Sequence, residues 1–207
     1  MAESPPAPSF RHMLESGKYS DLTLLCDETS FRVHRVIMCA HSPWFERMCG
    51  DDLEGPRMVH INISGDPTFL SNVIEFAYTG KYVIASGPLG EPDQVSAMMS
   101  HANIFFLAKK FGMEALKIES SKNYQQAAGG TQDDAARYWS TIWDLVYRVY
   151  ESRDMSGSED RFLRDGLCRF LHNHRRDKEL WARMQEFFED HGQLAIDLLN
   201  YWNKEED

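Results

Sequence analysis

The chain has 207 residues, enough for one large domain or two small ones. Apolar residues make up 43% and aromatic residues 12% of the sequence, which supports a packed core and excludes a disordered chain. The formal charge is −10, so the chain has no general attraction for the phosphate backbone of nucleic acids. A membrane-spanning helix needs about 20 consecutive apolar residues, and the longest uncharged apolar stretch, residues 94–108, contains Ser, His and Asn. We therefore expect neither a nucleic-acid nor a membrane partner.

The N-terminus and the four cysteines bear on the cellular compartment. Residues 1–9 contain three prolines and no hydrophobic periodicity, which predicts a disordered tail, and they lack the basic start and apolar segment of a secretory signal. Cys26, Cys39, Cys49 and Cys168 are widely spaced and include no CxxC pair. We therefore expect reduced thiols in a cytoplasmic and/or nuclear protein, with no zinc site and no other cofactor.

A short helix and a β-hairpin are the first predicted elements. The helix covers residues 10–14 and ends at Gly17, a residue type common at helix C-termini. Alternating apolar residues predict a strand over residues 22–26, with its first, third and fifth residues on one face. A turn over residues 27–30 connects it to a second strand over residues 31–34.

Helices dominate the pattern that follows. The predicted elements are two short helices (36–40 and 43–49), a strand (59–63), a helix (67–79), a short edge strand (82–84) and two helices (95–111 and 113–126). The second short helix begins with Ser42 as its N-cap and Pro43 in its first turn. Its spacing predicts that Phe45, Met48 and Cys49 face inward.

The sequence AAGGTQDD at residues 127–134 has two glycines and no large apolar residue, which predicts a linker. It would separate a domain over residues 10–126 from a helical extension over residues 135–203. In the extension, four amphipathic stretches predict stacked helical hairpins. The first stretch carries an aromatic stripe (Trp139, Trp143, Tyr147 and Tyr150), and any of these left exposed would suit a partner-binding groove.

Four linked motifs in the first segment carry a family resemblance. They are SDLTL (20–24), FRVHRVIMCAHSPWF (31–45), FLSNVIEFAYTGKY (69–82) and LAKKFGMEAL (107–116). In this order and spacing the motifs resemble the BTB/POZ domain. The resemblance implies an α+β fold, a small β-sheet flanked by a helix cluster, followed here by an all-α extension of helical hairpins. It also implies a protein-interaction module that is not an enzyme.

The resemblance further implies self-association. BTB domains commonly form homodimers through their N-terminal helix, which assigns Phe10, Met13 and Leu14 to a dimer interface. A second surface would hold a client protein, whose identity the residues do not reveal. On this interpretation the mechanism is proximity, because the chain brings two other proteins together.

Many BTB proteins also recruit a cullin scaffold and act as substrate adaptors of ubiquitin ligases. This implies a cullin-facing edge made of Met48, Leu53, Glu54 and Phe111. Cullin-binding members usually carry a hydrophobic-x-Glu motif after the SPWF helix, whereas the triplet here ends in Gly55. The departure keeps an alternative open, a transcriptional or signalling scaffold with no link to a ubiquitin ligase.

Asp21, His34 and Ser42 could be assembled into a catalytic set, with Ser42 as nucleophile and His34 as its base. The sequence has no GxSxG motif, and Ser42 precedes Pro43, where an N-cap explains it. In the resembled fold, Asp and His at these positions belong to the core signature. We therefore interpret the three residues as a structural polar cluster.

The densest basic stretch, RFLHNHRRDK at residues 169–178, contains two histidines. His172 and His174 are two residues apart, so on a helix they face different directions and are poorly placed to bind one metal. Asp165 and Glu179 flank the stretch. The stretch could contact phosphate, but the surrounding carboxylates, which include Asp177, favour a solvated helix junction, and this is our prediction.

Overall fold

A computed structural model of the chain describes residues 10–50, 58–84, 93–130, 135–151 and 161–205. The predicted tail at residues 1–9, together with Leu53 and Glu54, lies outside the described residues. The chain divides into two compact units, Met1–Ile84 with Asn103–Ile118 and Ala85–Ala102 with Glu119–Asp207.

The first unit is an α+β fold built around a three-stranded sheet of order β2-β1-β3. Its elements are α1 (Arg11–Ser16), β1 (Leu22–Cys26), β2 (Thr29–Val33), α2 (Arg35–His41), α3 (Pro43–Cys49), β3 (Val59–Asn62), α4 (Pro67–Thr79), the second half of α5 (Gln94–Phe111) and the start of α6 (Glu114–Ala128). β1 pairs antiparallel with β2 and parallel with β3. The parallel pairing needs a crossover connection, which α2 and α3 supply.

The central strand explains how this unit forms its core. Leu22, Leu24 and Cys26 are fully buried, as the alternation predicts, and they join one hydrophobic cluster with the buried face of α4. The hairpin turn is tighter than predicted, because Cys26 pairs directly with Thr29. The second strand therefore begins at Thr29, two residues before the predicted start.

Two local features complete the first unit. Gly112 follows α5 with a φ of +68°, the left-handed conformation that glycine adopts without strain, and its N–H donates to the carbonyl of Lys109. The edge strand predicted over residues 82–84 is wrong, since these residues form no strand. Val83 is 73% exposed, and no strand among the described residues pairs with this segment.

The second unit contains the helices predicted in the extension. After the first half of α5 and the remainder of α6, it comprises a 3-10 turn (Ala135–Tyr138), α7 (Trp139–Glu151), α8 (Arg161–Asn173), α9 (Lys178–Asp190) and α10 (Gly192–Glu205). α8 packs on α7 and α10. Gly166 of α8 lies directly against the ring of Tyr124 of α6, because an ideal Cβ at Gly166 would be 2.5 Å from the Tyr124 Cε1 atom.

The aromatic stripe of α7 is divided between the core and the surface. The Trp143 and Phe187 ring centroids are 4.0 Å apart, and the Trp139 and Trp143 centroids are 5.8 Å apart. The Tyr150 hydroxyl donates to Asp197 Oδ2 at 3.0 Å. Tyr147 is 53% exposed. Three residues of the stripe thus pack within the unit, and Tyr147 reaches the surface.

Candidate functional site

The predicted self-association surface lies on α1, which packs on α4. The backbone N–H of Phe10 donates to the carbonyl of Tyr78 at 2.9 Å, and Arg11 forms an ion pair with Glu75. These contacts fix the helix and leave the Phe10 side chain 42% exposed. Met13 and Leu14 are half-buried against the core. Of the three predicted interface residues, Phe10 is therefore the most accessible to a partner.

The predicted cullin-facing edge is only partly a surface. Met48 on α3 is 50% exposed, although the helix pattern predicts it inward. Phe111 is fully buried, with its ring centroid 5.0 Å from those of Trp44 and Phe45. The assignment of Phe111 to an exposed edge is corrected accordingly: its side chain belongs to the core beneath α3. The remaining two residues of the predicted edge lie outside the described residues.

Asp21 and His34 meet at the start of α2 but serve different groups. The Asp21 carboxylate Oδ1 accepts from the backbone N–H of Arg35 at 2.7 Å. His34 is the N-cap residue of α2, but its side chain makes no capping hydrogen bond, so Asp21 provides the cap. The ring of His34 is buried, with Nδ1 2.7 Å from the Tyr78 hydroxyl and Nε2 2.7 Å from the carbonyl oxygen of Lys18.

The proton arrangement around His34 follows from these contacts. The Lys18 carbonyl can only accept, so Nε2 carries a hydrogen. The Tyr78 oxygen accepts from the backbone N–H of His34 at 2.8 Å, and its own hydrogen is available for Nδ1. Burial raises the pKa of Tyr78 to about 12, which keeps this hydrogen on the phenol. Both ring nitrogens are therefore occupied by structural hydrogen bonds.

Ser42 lies apart from His34 in the hydrogen-bond pattern. Its hydroxyl donates to the carbonyl of Phe111 and accepts from the backbone N–H of Phe45 at 3.1 Å, which makes it the predicted N-cap of α3. Neither ring nitrogen of His34 is left to act as a base for Ser42. The three polar residues are thus three separate structural contacts, and no hydrogen bond among the described residues joins one to another.

The two histidines of the basic stretch have separate environments. His174 is buried, and its Nδ1 is 2.8 Å from the carbonyl oxygen of Phe170. His172 lies beside Tyr201, with 5.8 Å between ring centroids. Within the described ranges, no three His, Cys, Asp or Glu side chains are grouped so that they could hold a metal ion. The same part of the chain contains no helix long and apolar enough to cross a membrane.

A polar cavity of about 460 Å³ lies within the second unit, on the face of α8 that carries Asp165 and Arg169. Gly129 lies at one side of the cavity and Tyr201 of α10 at the other. The sequence predicts a solvated junction for the stretch that begins at residue 169, and this cavity is not part of that prediction. The signal that could have found it is the spacing of Asp165, Arg169 and His172, which places all three on one helix face.

Comparison with known proteins identifies the first segment. The family model described as the BTB/POZ domain matches residues 10–127, more than half of the chain. The chain belongs to the BTB/POZ family. The fold described above, a small sheet with flanking helices and a helical extension, agrees with this assignment, and the BTB domain is a protein-interaction module.

Individual relatives of this BTB protein are distant. It is 35% identical to Protein abrupt of Drosophila melanogaster over 74 residues, which cover 35% of this chain and 8% of that protein. It is 23% identical to Kelch-like protein 31 of Danio rerio over 180 residues, 86% of this chain and 25% of the relative. The chain thus spans a quarter or less of these relatives. A solved structure, the BTB domain of zebrafish PATZ1, is 20% identical with a TM-score of 0.42, covering 56% of this chain and 86% of that one.

Proposed function

We propose that this BTB protein is a non-enzymatic, self-associating adaptor that joins a client protein to a cullin scaffold. The family match over residues 10–127 carries the proposal. The alignment with Kelch-like protein 31 supports it, because it covers 86% of the chain and therefore extends beyond the BTB domain into the helical extension. The engagement of both His34 ring nitrogens supports the absence of Ser42-based hydrolysis.

Self-association is the first part of the proposal. Phe10 is a large apolar side chain that is 42% exposed at the start of α1, which packs on α4. Aromatic residues that bury such surface commonly dominate protein–protein interfaces. A second copy of the chain that covers α1 would remove this surface from water.

Sedimentation equilibrium at micromolar concentration tests this part. Phe10→Asp is expected to raise the dissociation constant of the dimer about 30-fold or more, the effect of losing an interface residue worth about 2 kcal/mol. Val83→Asp is the matched control, because Val83 is also apolar and exposed but lies outside α1. A wild-type chain that is monomeric at this concentration, or equal effects of the two variants, would contradict the proposed interface.

Cullin recruitment is the second part. Met48 offers a half-exposed apolar side chain on α3, and the sequence places Leu53 and Glu54 shortly after that helix. We expect Met48→Asp and Leu53→Asp each to weaken binding of a cullin N-terminal domain, measured by biolayer interferometry, while Met58→Asp leaves it unchanged. Met58 is a suitable control because it is an exposed methionine of the same unit.

A scaffold without a ubiquitin-ligase link is the second candidate, and the observation that favours it is Gly55, where cullin-binding members usually carry Glu. The same interferometry separates the two candidates. A chain that self-associates but does not bind the cullin domain supports the scaffold. Gain of cullin binding by Gly55→Glu would identify the missing carboxylate as the cause.

A further inference from the structure

The polar cavity on α8 contains a cation without a partner among the described residues. Arg169 lies over the end of α6, where an ideal Cβ at Gly129 would be 3.0 Å from the Arg169 Cζ atom. Glycine at position 129 therefore leaves the space that the guanidinium occupies. No hydrogen bond or ion pair joins this guanidinium to any residue that the structure describes. The Arg169 side chain is exposed, so its donors are available to an acceptor from outside the chain.

The cavity also contains an anion one helical turn away. Asp165 precedes Arg169 by four residues, a spacing at which oppositely charged side chains usually form an ion pair on a helix. Here no ion pair connects the two, and none connects the Asp165 carboxylate to another described residue. The cavity thus presents one positive and one negative charge, side by side and unneutralised.

The spacing of these two residues along α8 suits an extended peptide. Residues four apart on a helix are separated by about 6 Å along its axis. In an extended chain, side chains two residues apart lie on the same face, separated by about 6.5–7 Å. An acidic and a basic side chain at positions i and i+2 of an extended segment therefore match the spacing of Asp165 and Arg169 along α8. A dianion such as phosphate matches less well, because Asp165 would repel it.

We propose that this cavity binds an extended peptide segment with a Glu-x-Lys pattern, its carboxylate on Arg169 and its ammonium on Asp165. A cavity of about 460 Å³ has the size of sites that hold small ligands or a few side chains. The rings of His172 and Tyr201 line the cavity, with 5.8 Å between their centroids. They can cover the aliphatic parts of the peptide's Glu and Lys side chains. This inference rests on the proposed function, because it assigns client recognition to the helical extension.

The test is a titration of the ¹⁵N-labelled full chain with the peptide acetyl-Ala-Glu-Thr-Lys-Ala-amide, followed by NMR. The Nε–Hε resonance of Arg169, assigned by its loss in Arg169→Gln, is expected to shift and saturate. Replacing the peptide's Glu or its Lys by Gln should raise the dissociation constant about tenfold, as the loss of one charge-assisted hydrogen bond would. Inorganic phosphate at the same concentration should give a smaller shift.

Matched variants separate recognition from structure. Arg169→Gln should raise the dissociation constant about tenfold, as the Gln-for-Glu peptide does, while Arg176→Gln, at an exposed arginine outside the cavity, should leave it unchanged. In Asp165→Asn, peptides with Lys or with Gln at the second charged position should bind equally well. The peptide with Glu should still bind better than the one with Gln at the first position. A purely structural role of Asp165 would not change this selectivity. All three variants should retain the wild-type thermal midpoint and dimer dissociation constant.

The proposal is overturned if the peptide gives no saturable shift at Arg169, or if the Gln-substituted peptides bind equally well. Phosphate binding as tight as that of the peptide would overturn it in favour of a simple oxyanion site. These outcomes are independent of the self-association and cullin measurements, which probe the first unit. Absence of self-association or of cullin binding would contradict the proposed function, and the peptide titration would still test the cavity.

Discussion

The contact between Gly166 and Tyr124 makes the sharpest prediction about stability. Tyr124 is fully buried, and an added Cβ at Gly166 would lie 2.5 Å from its Cε1 atom and 2.9 Å from its Cδ1 atom. Because Cβ contacts in proteins are not found below about 3 Å, either the ring or α8 must move by roughly 1 Å, and a close-packed interior resists such a shift. Gly166→Ala should therefore destabilise the second unit.

The magnitude follows from two opposing effects. Overpacking of a core costs about 1–3 kcal/mol, whereas replacing glycine by alanine within a helix gains up to about 1 kcal/mol. The 2.5 Å contact places the overpacking cost at the upper end of its range, so the expected net loss in the free energy of unfolding is about 2 kcal/mol. Gly192→Ala is the control, because nothing lies within 4 Å of a Cβ there, and its effect should stay within about 0.5 kcal/mol.

Urea unfolding followed by tryptophan fluorescence measures this effect. In a Trp44→Phe background the remaining tryptophans all belong to the second unit. Adding Tyr124→Leu removes the ring, so Gly166→Ala should then cost less, with a coupling energy of about 1 kcal/mol or more between the two sites. If Gly166→Ala is as stable as the wild type in the Tyr124 background, the packing argument is wrong.

Two further predictions concern the first unit, both measured by urea unfolding followed by circular dichroism. Ser42→Ala should lower the free energy of unfolding by about 1–3 kcal/mol, because it removes the cap of α3 and leaves the buried carbonyl of Phe111 without its donor. A decrease of less than about 0.5 kcal/mol would contradict this prediction. Burial raises the pKa of Tyr78 to about 12, above the ordinary value of about 10. The stabilisation that the neutral Tyr78 phenol gives the folded state is therefore complete below pH 10 and is lost as the pH rises to 12. Tyr78→Phe should therefore reduce the alkaline loss of stability, and an unchanged slope would refute the assignment.

The elements of the first unit follow largely from local sequence signals. Asp66 and Pro67 predict the start of α4, and in the structure the Asp66 carboxylate accepts from the backbone N–H of Thr68 at 2.7 Å. The alternation over residues 22–26 predicts β1 and its buried face. These predictions are confirmed because each depends on residues that are close together in the sequence.

Features that depend on distant contacts were not predictable in the same way. The helix pattern places Met48 inward, yet it is half-exposed, whereas Phe45 and Cys49 of the same helix are buried. The burial of Phe111 depends on Trp44 and Phe45, more than 60 residues earlier in the chain. The cavity beside Arg169 requires Gly129 to be adjacent in space, which no local pattern indicates.

The motifs that identify the family are joined to one another by hydrogen bonds, two of them buried and the one to Asp21 partly buried. The joining pairs are Asp21 with the backbone of Arg35, His34 with Tyr78, and Ser42 with the backbone of Phe111. Each pair satisfies polar groups that would otherwise be buried without partners, so these residues specify the fold and carry no information about a client. Phe10, Met48 and Arg169 are exposed and belong to none of these pairs. Substitutions within the pairs should therefore lower stability, whereas substitutions at the three exposed positions should change binding at unchanged stability.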